Sequence, residues 1–311
     1  MNLAMPFAGE ALPLLRAMMS VAMADGVLDD RERALLDFCA RLYRADVVVE
    51  ELEPIDPTAL AAQLDDVEQR RRLLQQLVVM AMTDEEVHPN ELATLQGFAA
   101  ALEVEEPLLE TLRLLVDGHK RRMAFDMMRK SFIAKHFQEV RAHEGLGAYW
   151  RIGKAFAGLA DAETAARYQA LGAMPGGTLG RAYFEHCRAH GYPLPGERGG
   201  APEAMIFHDL GHALTGYTTD PAGEMQMAAF EAGYMGEDGF SVTVFALLLF
   251  HLGQELGTDA RPERGFFDPE RWQAAFERGR RMLVDLRRWD PNPHWLKPVP
   301  QVRTELGVGA A

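Results

Sequence analysis

Apolar residues in this chain recur at spacings of three and four, as in Leu35, Leu36, Phe38, Cys39 and Leu42, and no sustained two-residue alternation appears. That periodicity predicts amphipathic helices and no sheet, so the expected class is all-α. Residues 1–116 repeat internally. Ala22-Met23-Ala24-Asp25 aligns with Ala81-Met82-Thr83-Asp84 at an offset of 59, which carries Glu32 onto Glu91, Ala34 onto Ala93 and Leu36 onto Leu95. Each copy reads as an apolar helix, an acidic turn and a second amphipathic helix, and two such hairpins would pack as a pseudo-symmetric bundle. Further along, helices are predicted over 160–171, 179–190, 224–235, 240–256 and 272–286. The segment 240–256 is apolar nearly all round, the pattern of a buried central helix or of the wall of an apolar pocket.

These patterns divide the chain into a pseudo-repeated helical domain (1–116), a connecting helix (117–144) and a second helical bundle (145–311) entered at Gly145-Leu146-Gly147. Charge sharpens the division. Residues 1–116 hold 22 acidic and 9 basic side chains, whereas the remainder is nearly balanced. Neither part supplies the basic footprint that phosphate contact demands, so nucleic-acid binding is not expected. His119-Lys120-Arg121-Arg122 opens a basic, Met-rich stretch reaching Arg141, which reads as a connecting helix. A helix of that kind would also suit docking on the acidic domain or contact with an anionic membrane surface. The most apolar run, 242–252, is far too short to span a bilayer. The N-terminus lacks a basic n-region and a cleavage site, and Cys39 and Cys187 lie in unrelated segments. The expected location is therefore the cytoplasm.

The densest chemistry is Phe207-His208-Asp209-Leu210-Gly211-His212, with Glu224 twelve residues beyond His212. At about 100° per residue, His208, Asp209 and His212 fall near one helix face. Gly216 is placed as a C-terminal stop, with Asp220 and Pro221 as N-cap and first residue of the next helix. Glu224 would then lie one turn into that helix and point back across a tight αα-hairpin. A lone histidine in an apolar helix is ordinarily a satisfied core residue. Two at i, i+4 beside carboxylates instead suggest a divalent-metal site of His208, Asp209, His212 and Glu224. A mixed N/O set suits Zn²⁺ first, with Fe²⁺ or Mn²⁺ as alternatives.

The string HDLGHALTGYTTDPAGE resembles the HDxxH-x11-E motif of the coenzyme Q (ubiquinone) biosynthesis protein 4 family. Pro175-Gly-Gly-Thr-Leu-Gly-Arg-Ala-Tyr183 upstream is similar to that family's GTLG-x-x-Y segment. Downstream, Ala275–Arg280, Trp289-Asp290, Val302-Arg303 and Glu305-Leu306-Gly307 are similar to its closing helices. The resemblance covers roughly 145–311 and departs from the family between Tyr192 and His208, where the chain is short and Gly/Pro-rich. It implies a metal-dependent enzyme acting on a polyprenylated hydroxybenzoate, with removal of the ring carboxyl at C1 and hydroxylation of that carbon. The metal is then expected at the ring carboxylate and the apolar helix along the isoprenoid tail. Implied partners are that lipid precursor and other quinone-biosynthesis enzymes, with peripheral contact on the inner face of the membrane and room for a homodimer. MADGVLDDRERALL resembles the tellurite-resistance TerB-like family over roughly 10–115, whose members are acidic helical modules associated with metals.

Other readings compete. The domain could bind a prenyl lipid and organise quinone enzymes without catalysis, its metal purely structural. HDLGH is also similar to the motif of HD-domain phosphohydrolases, for which His186 or His190 would be the upstream ligand and Asp238 or Asp259 the late one. The acidic clusters Asp25, Asp29, Asp30, Glu32 and Asp84, Glu85, Glu86, Glu91 would suit Ca²⁺ or Mg²⁺. Asp29 with Glu32, and Pro89 with Glu91, read more simply as helix starts. Arg278, Arg280, Arg281, Arg287 and Arg288 would accept an anionic head group, or form a solvated face. No GxSxG elbow, Walker A loop or dinucleotide fingerprint is present.

Overall fold

The computed structural model describes residues 11–258 and 260–309. Among them the chain is all-α, with only two isolated bridges, Thr178 with Pro298 and Leu252 with Arg264. In chain order the helices are α1 (Ala11–Ala22), α2 (Asp30–Tyr43), α3 (Pro57–Ala61), α4 (Val67–Met80), α5 (Pro89–Leu102), α6 (Leu108–Val116) and α7 (Lys120–Lys130). Then come α8 (Phe132–Phe156), α9 (Ala162–Ala170), α10 (Leu179–His190), α11 (Ile206–Thr215) and α12 (Pro221–Tyr234). The last three are α13 (Gly239–Phe250), α14 (Pro269–Arg280) and α15 (Val299–Leu306). No described helix is long and apolar enough to cross a membrane.

Two compact units result, and they are interleaved in sequence. One comprises residues up to Ser131 together with Glu237–Phe276, and the other Phe132–Gly236 together with Glu277 onwards. The basic stretch is therefore not one connecting helix. It breaks at Ser131, and its first half, α7, packs on α6 with Met123 and Met127 fully buried. Gly145, with φ +79°, interrupts α8 where the sequence suggested a boundary.

In the first unit the repeat is visible as two helix starts built alike. Asp29 accepts from the Arg31 and Glu32 amides while Glu32 accepts from the Asp29 amide at 2.9 Å. Fifty-nine residues on, His88 accepts from Asn90 and Glu91 accepts from the His88 amide at 2.7 Å. Both glutamates are buried and serve as caps. The apolar helix α13 belongs to this unit and is buried along nearly its whole length, so it is core. It ends at Phe250, earlier than its hydropathy suggests, because His251 turns the chain: its Nε2 donates to the Thr83 carbonyl at 2.7 Å and its Nδ1 accepts from the Phe267 amide.

In the second unit, α10 packs on α11, and α11 on α12. The 175–183 segment acts as a clamp: the Leu179 and Gly180 amides donate to the carbonyls of Lys297 and Trp295, and Tyr183 is buried against Tyr168 and Trp295. Helix α14 stops at Arg280, short of the expected 286, as the Leu283 amide turns to the carbonyl of Leu306 at the end of α15.

Burial pushes the Glu32 carboxyl up to about 8 and the Glu91 carboxyl up to about 9, with neighbouring acidic charges adding to the rise. A carboxyl whose pKa is raised by folding opposes the folded state once the unfolded chain ionises it. Stability from these positions should thus be greatest below the ordinary 4.5 and fall as pH rises through 4.5 towards 8 for Glu32 and 9 for Glu91. Glu32→Gln and Glu91→Gln, which keep an acceptor for the cap, should flatten that decline in thermal unfolding followed across pH. Unchanged slopes would show that the buried carboxyls are not its source.

Candidate metal centre

The motif folds as an αα-hairpin for local reasons. Gly216 takes φ +79° and closes α11 with its amide on the His212 carbonyl. Asp220 then caps α12 by accepting from the Ala222 and Gly223 amides, with Pro221 as the first helical residue. Gly223 is required by contact, since a Cβ there would strike the Thr218 carbonyl. Glu224 consequently sits on the first turn of α12, opposite the last turn of α11. Arg278 braces this corner: it donates to the carbonyls of Thr215 (3.1 Å) and Gly309 (3.0 Å) and lies over the Tyr217 ring.

His208, His212 and Glu224 converge. His212 Nε2 is 3.3 Å from His208 Nε2 and 3.5 Å from Glu224 Oε1, and His208 Nε2 is 3.3 Å from Glu224 Oε2. For ligands about 2.05–2.1 Å from a tetrahedral ion, the ligand–ligand edge is about 3.4 Å, close to these separations. Among the described residues this is the group of three or more metal-competent side chains brought within ligand range. Asp209 is not part of it. Its Oδ1 lies 3.7 Å from His186 Nε2, and the His186 ring stacks on His212 at 5.3 Å and 13°.

The tautomers follow from the partners. His212 Nδ1 lies 2.9 Å from the Tyr217 carbonyl, which can only accept, so Nδ1 donates. His208 Nδ1 donates at 2.9 Å to Glu231 Oε1, on a residue only 3% exposed. Both Nε2 atoms are thereby left as lone pairs facing each other and a carboxylate. Three acceptors in contact repel unless a cation sits among them, and a buried unsatisfied acceptor costs about 1–3 kcal/mol. A ligating histidine ordinarily commits its other nitrogen to a carboxylate or carbonyl, as both do here. The site therefore fits a divalent cation; its identity is a separate question. Burial works against a proton on His208, but Glu231 and Glu224 outweigh it and raise the pKa well above the ordinary histidine value. Burial likewise opposes ionisation of Glu224, yet His208 and His212 hold it down at about 2.

The rim comes from the end of α10 and the loop after it. His190 donates Nδ1 to the His186 carbonyl, and Tyr192 stacks on His190. Burial raises the Tyr192 hydroxyl, helped by the charges of Glu224 and Asp209. His186 is one-tenth exposed, and its Nε2 is buried without a hydrogen-bond partner. Glu231, the Tyr217 carbonyl and Arg278 escaped the motif reading; only Glu231 left a signal, as an acidic residue one helical face along from Glu224.

The remaining expectations fare differently. Asp238 belongs to the other compact unit, and Asp259 lies outside the described residues. Arg280, Arg287 and Arg288 pair with Glu277, Asp285 and Glu139. Cys39 and Cys187 are buried and unbridged, and burial pushes each thiol up to about 12, so neither is a nucleophile. A cavity of about 670 Å³ lies in this unit, with Ile206, Phe207, Leu210, Leu286, Trp289 and Arg287 among its lining. Those three α11 residues point away from His208 and His212, so the cavity adjoins the opposite side of the helix. No residue of α13 lines it.

A proton on His208 Nε2 and a metal there exclude each other, so affinity should strengthen as pH rises through the elevated His208 pKa and weaken below it. Glu231→Gln should lower affinity by about 10–100-fold, and Gly223→Ala, which displaces the first turn of α12, should lower it as well. Competition titration with a zinc chelator checks both; wild-type affinity in Glu231→Gln would remove the tautomer argument.

Comparison with protein-family models, with curated proteins and with solved structures gives no match to this chain, so what the centre does is argued from its own chemistry.

Proposed function

We propose that this chain is a divalent-metal-dependent protein of ubiquinone biosynthesis, acting on a polyprenylated hydroxybenzoate by loss of the C1 carboxyl with hydroxylation of that carbon. The observation that supports a metal role is the convergence of His208 Nε2, His212 Nε2 and a Glu224 oxygen at 3.3–3.5 Å. The substrate class comes from the motif resemblance alone. Three protein ligands leave a coordination position open, and a cation bound there would supply Lewis-acid polarisation or, if redox-active, oxygen chemistry. The chain's own residues hold the imidazoles in one tautomer through Glu231 and Tyr217, and bury His212 almost completely. Metal identity then matters chemically, because Zn²⁺ has no redox chemistry and hydroxylation needs an oxidant.

A second reading draws on the cavity. Its apolar walls lie on the far side of α11 from the metal ligands, an arrangement that suits a prenyl-lipid carrier whose metal only staples the α11–α12 hairpin.

Elemental analysis of purified wild type beside His212→Ala and Glu224→Ala tests both. About one equivalent of metal, lost in both folded variants, is expected. Iron or manganese, with lost quinone production and accumulation of the carboxylated precursor in a strain carrying either variant, supports the enzyme. Variants that stay folded and sustain quinone production support the carrier. A wild type that takes up no zinc, iron or manganese would sink the metal role in either form.

A further inference from the structure

Beside the three-ligand group stands a pair of polar side chains that the metal does not use. His186 Nε2 and Asp209 Oδ1 face each other at 3.7 Å, too far for a direct hydrogen bond. The Nε2 atom is buried and without a partner, on a side chain nine-tenths buried. The His186 ring lies parallel to that of His212, and Asp209 follows His208 directly in α11. A gap of this size between a donor and an acceptor is suited to one bridging oxygen.

We infer that His186 and Asp209 hold the exogenous oxygen at the open position of the centre, and that this oxygen belongs to a neutral protic group: water, or the hydroxyl of an alcohol or phenol. The inference rests on the metal-centre reading above. A hydroxyl meets three demands at once. It accepts from His186 Nε2–H, donates its proton to Asp209 Oδ1 and keeps a lone pair for a cation. A carboxylate meets only two, because it has no proton to give Asp209.

Charge argues the same way. Glu224, Glu231 and Asp209 surround one dication with neutral imidazoles, so the loaded centre already carries an excess negative charge. Arg278, the cation of this corner, is committed to the carbonyls of Thr215 and Gly309. A further anion would meet Asp209 without compensation. For a hydroxybenzoate, this turns the ring around: its hydroxyl end, rather than its carboxylate end, approaches the metal.

The test uses the full chain loaded with Co²⁺, whose visible absorption reports ligands entering the coordination sphere. Phenol and benzoate are the probes, similar in ring and different in head group; at neutral pH phenol keeps its proton and benzoate is ionised. Wild type should bind phenol at least about tenfold more tightly than benzoate. His186→Phe, which keeps an aromatic ring against His212, should bind Co²⁺ as wild type does and lose about tenfold in phenol affinity. His186→Gln, with an N–H to offer, should recover part of it. Asp209→Asn should bring benzoate to within about threefold of phenol. Benzoate binding as tightly as phenol, no response to either probe, or a preference unmoved in these variants would each overturn the inference. So would loss of Co²⁺ affinity in His186→Phe, which would make His186 a support of the ligands. Failure of the metal reading is distinguishable, since a wild type that takes up no Co²⁺ shows it before any probe is added.

Discussion

The arrangement in the second unit depends on where two protons sit. His212 Nδ1–H is spent on the Tyr217 carbonyl and His208 Nδ1–H on Glu231, so both Nε2 atoms meet as acceptors beside Glu224. Acceptors do not gather without a positive charge to gather round. Everything that fixes the hairpin fixes this meeting: the left-handed Gly216, the Asp220 cap, the close passage of Gly223 past Thr218, and Arg278 across the ends of the loop. Gly279 contributes from the other side, because a Cβ there would strike the Phe230 carbonyl, one residue before Glu231. Two glycines thus let backbone approach the helix that carries both acidic partners of the histidines.

The first unit treats buried acid in the opposite way. Glu32 and Glu91 are desolvated with other carboxylates near them, so a proton is retained and the group acts as a neutral cap. Glu224 is also desolvated but flanked by two imidazoles, which favour its charged form. Burial alone therefore does not mark a metal ligand. The sign of the neighbours decides whether a buried carboxyl keeps a proton or seeks a cation. On that criterion the acidic clusters of the repeat are helix starts, and the hairpin is the metal centre.

Much of this was legible in the sequence, and the limits are physical. Helix class, the 59-residue repeat, the Gly216 stop and the Asp220-Pro221 start were all readable because each is local: a period, a cap, a fixed φ. The convergence of His208, His212 and Glu224 follows from those local facts plus one tight turn. Asp209 shows where the method stops. Spacing places it near the histidine face, but the partner it finds, His186, comes from α10, and no local rule pairs residues 23 positions apart. The fate of α13 has the same cause. Its hydropathy says buried without saying against what, and it lies with the N-terminal repeat.

Helix α11 also constrains how any large ligand can lie. Its polar side carries the metal ligands, and Ile206, Phe207 and Leu210 on the other side border the 670 Å³ cavity. An α-helix with side chains is about 10–12 Å across, so a molecule with its head at the metal cannot also drop its tail straight into that cavity; it would have to pass around the helix. A ligand seated in the cavity touches the metal centre only through α11 itself. Because α11 is clamped at its C-terminal end by Gly216 and Arg278, such a ligand would act on the histidines by shifting the helix as a body. Chemistry on a ring therefore belongs to the rim built by His186, Asp209 and Tyr192, and the cavity to whatever binds without reacting.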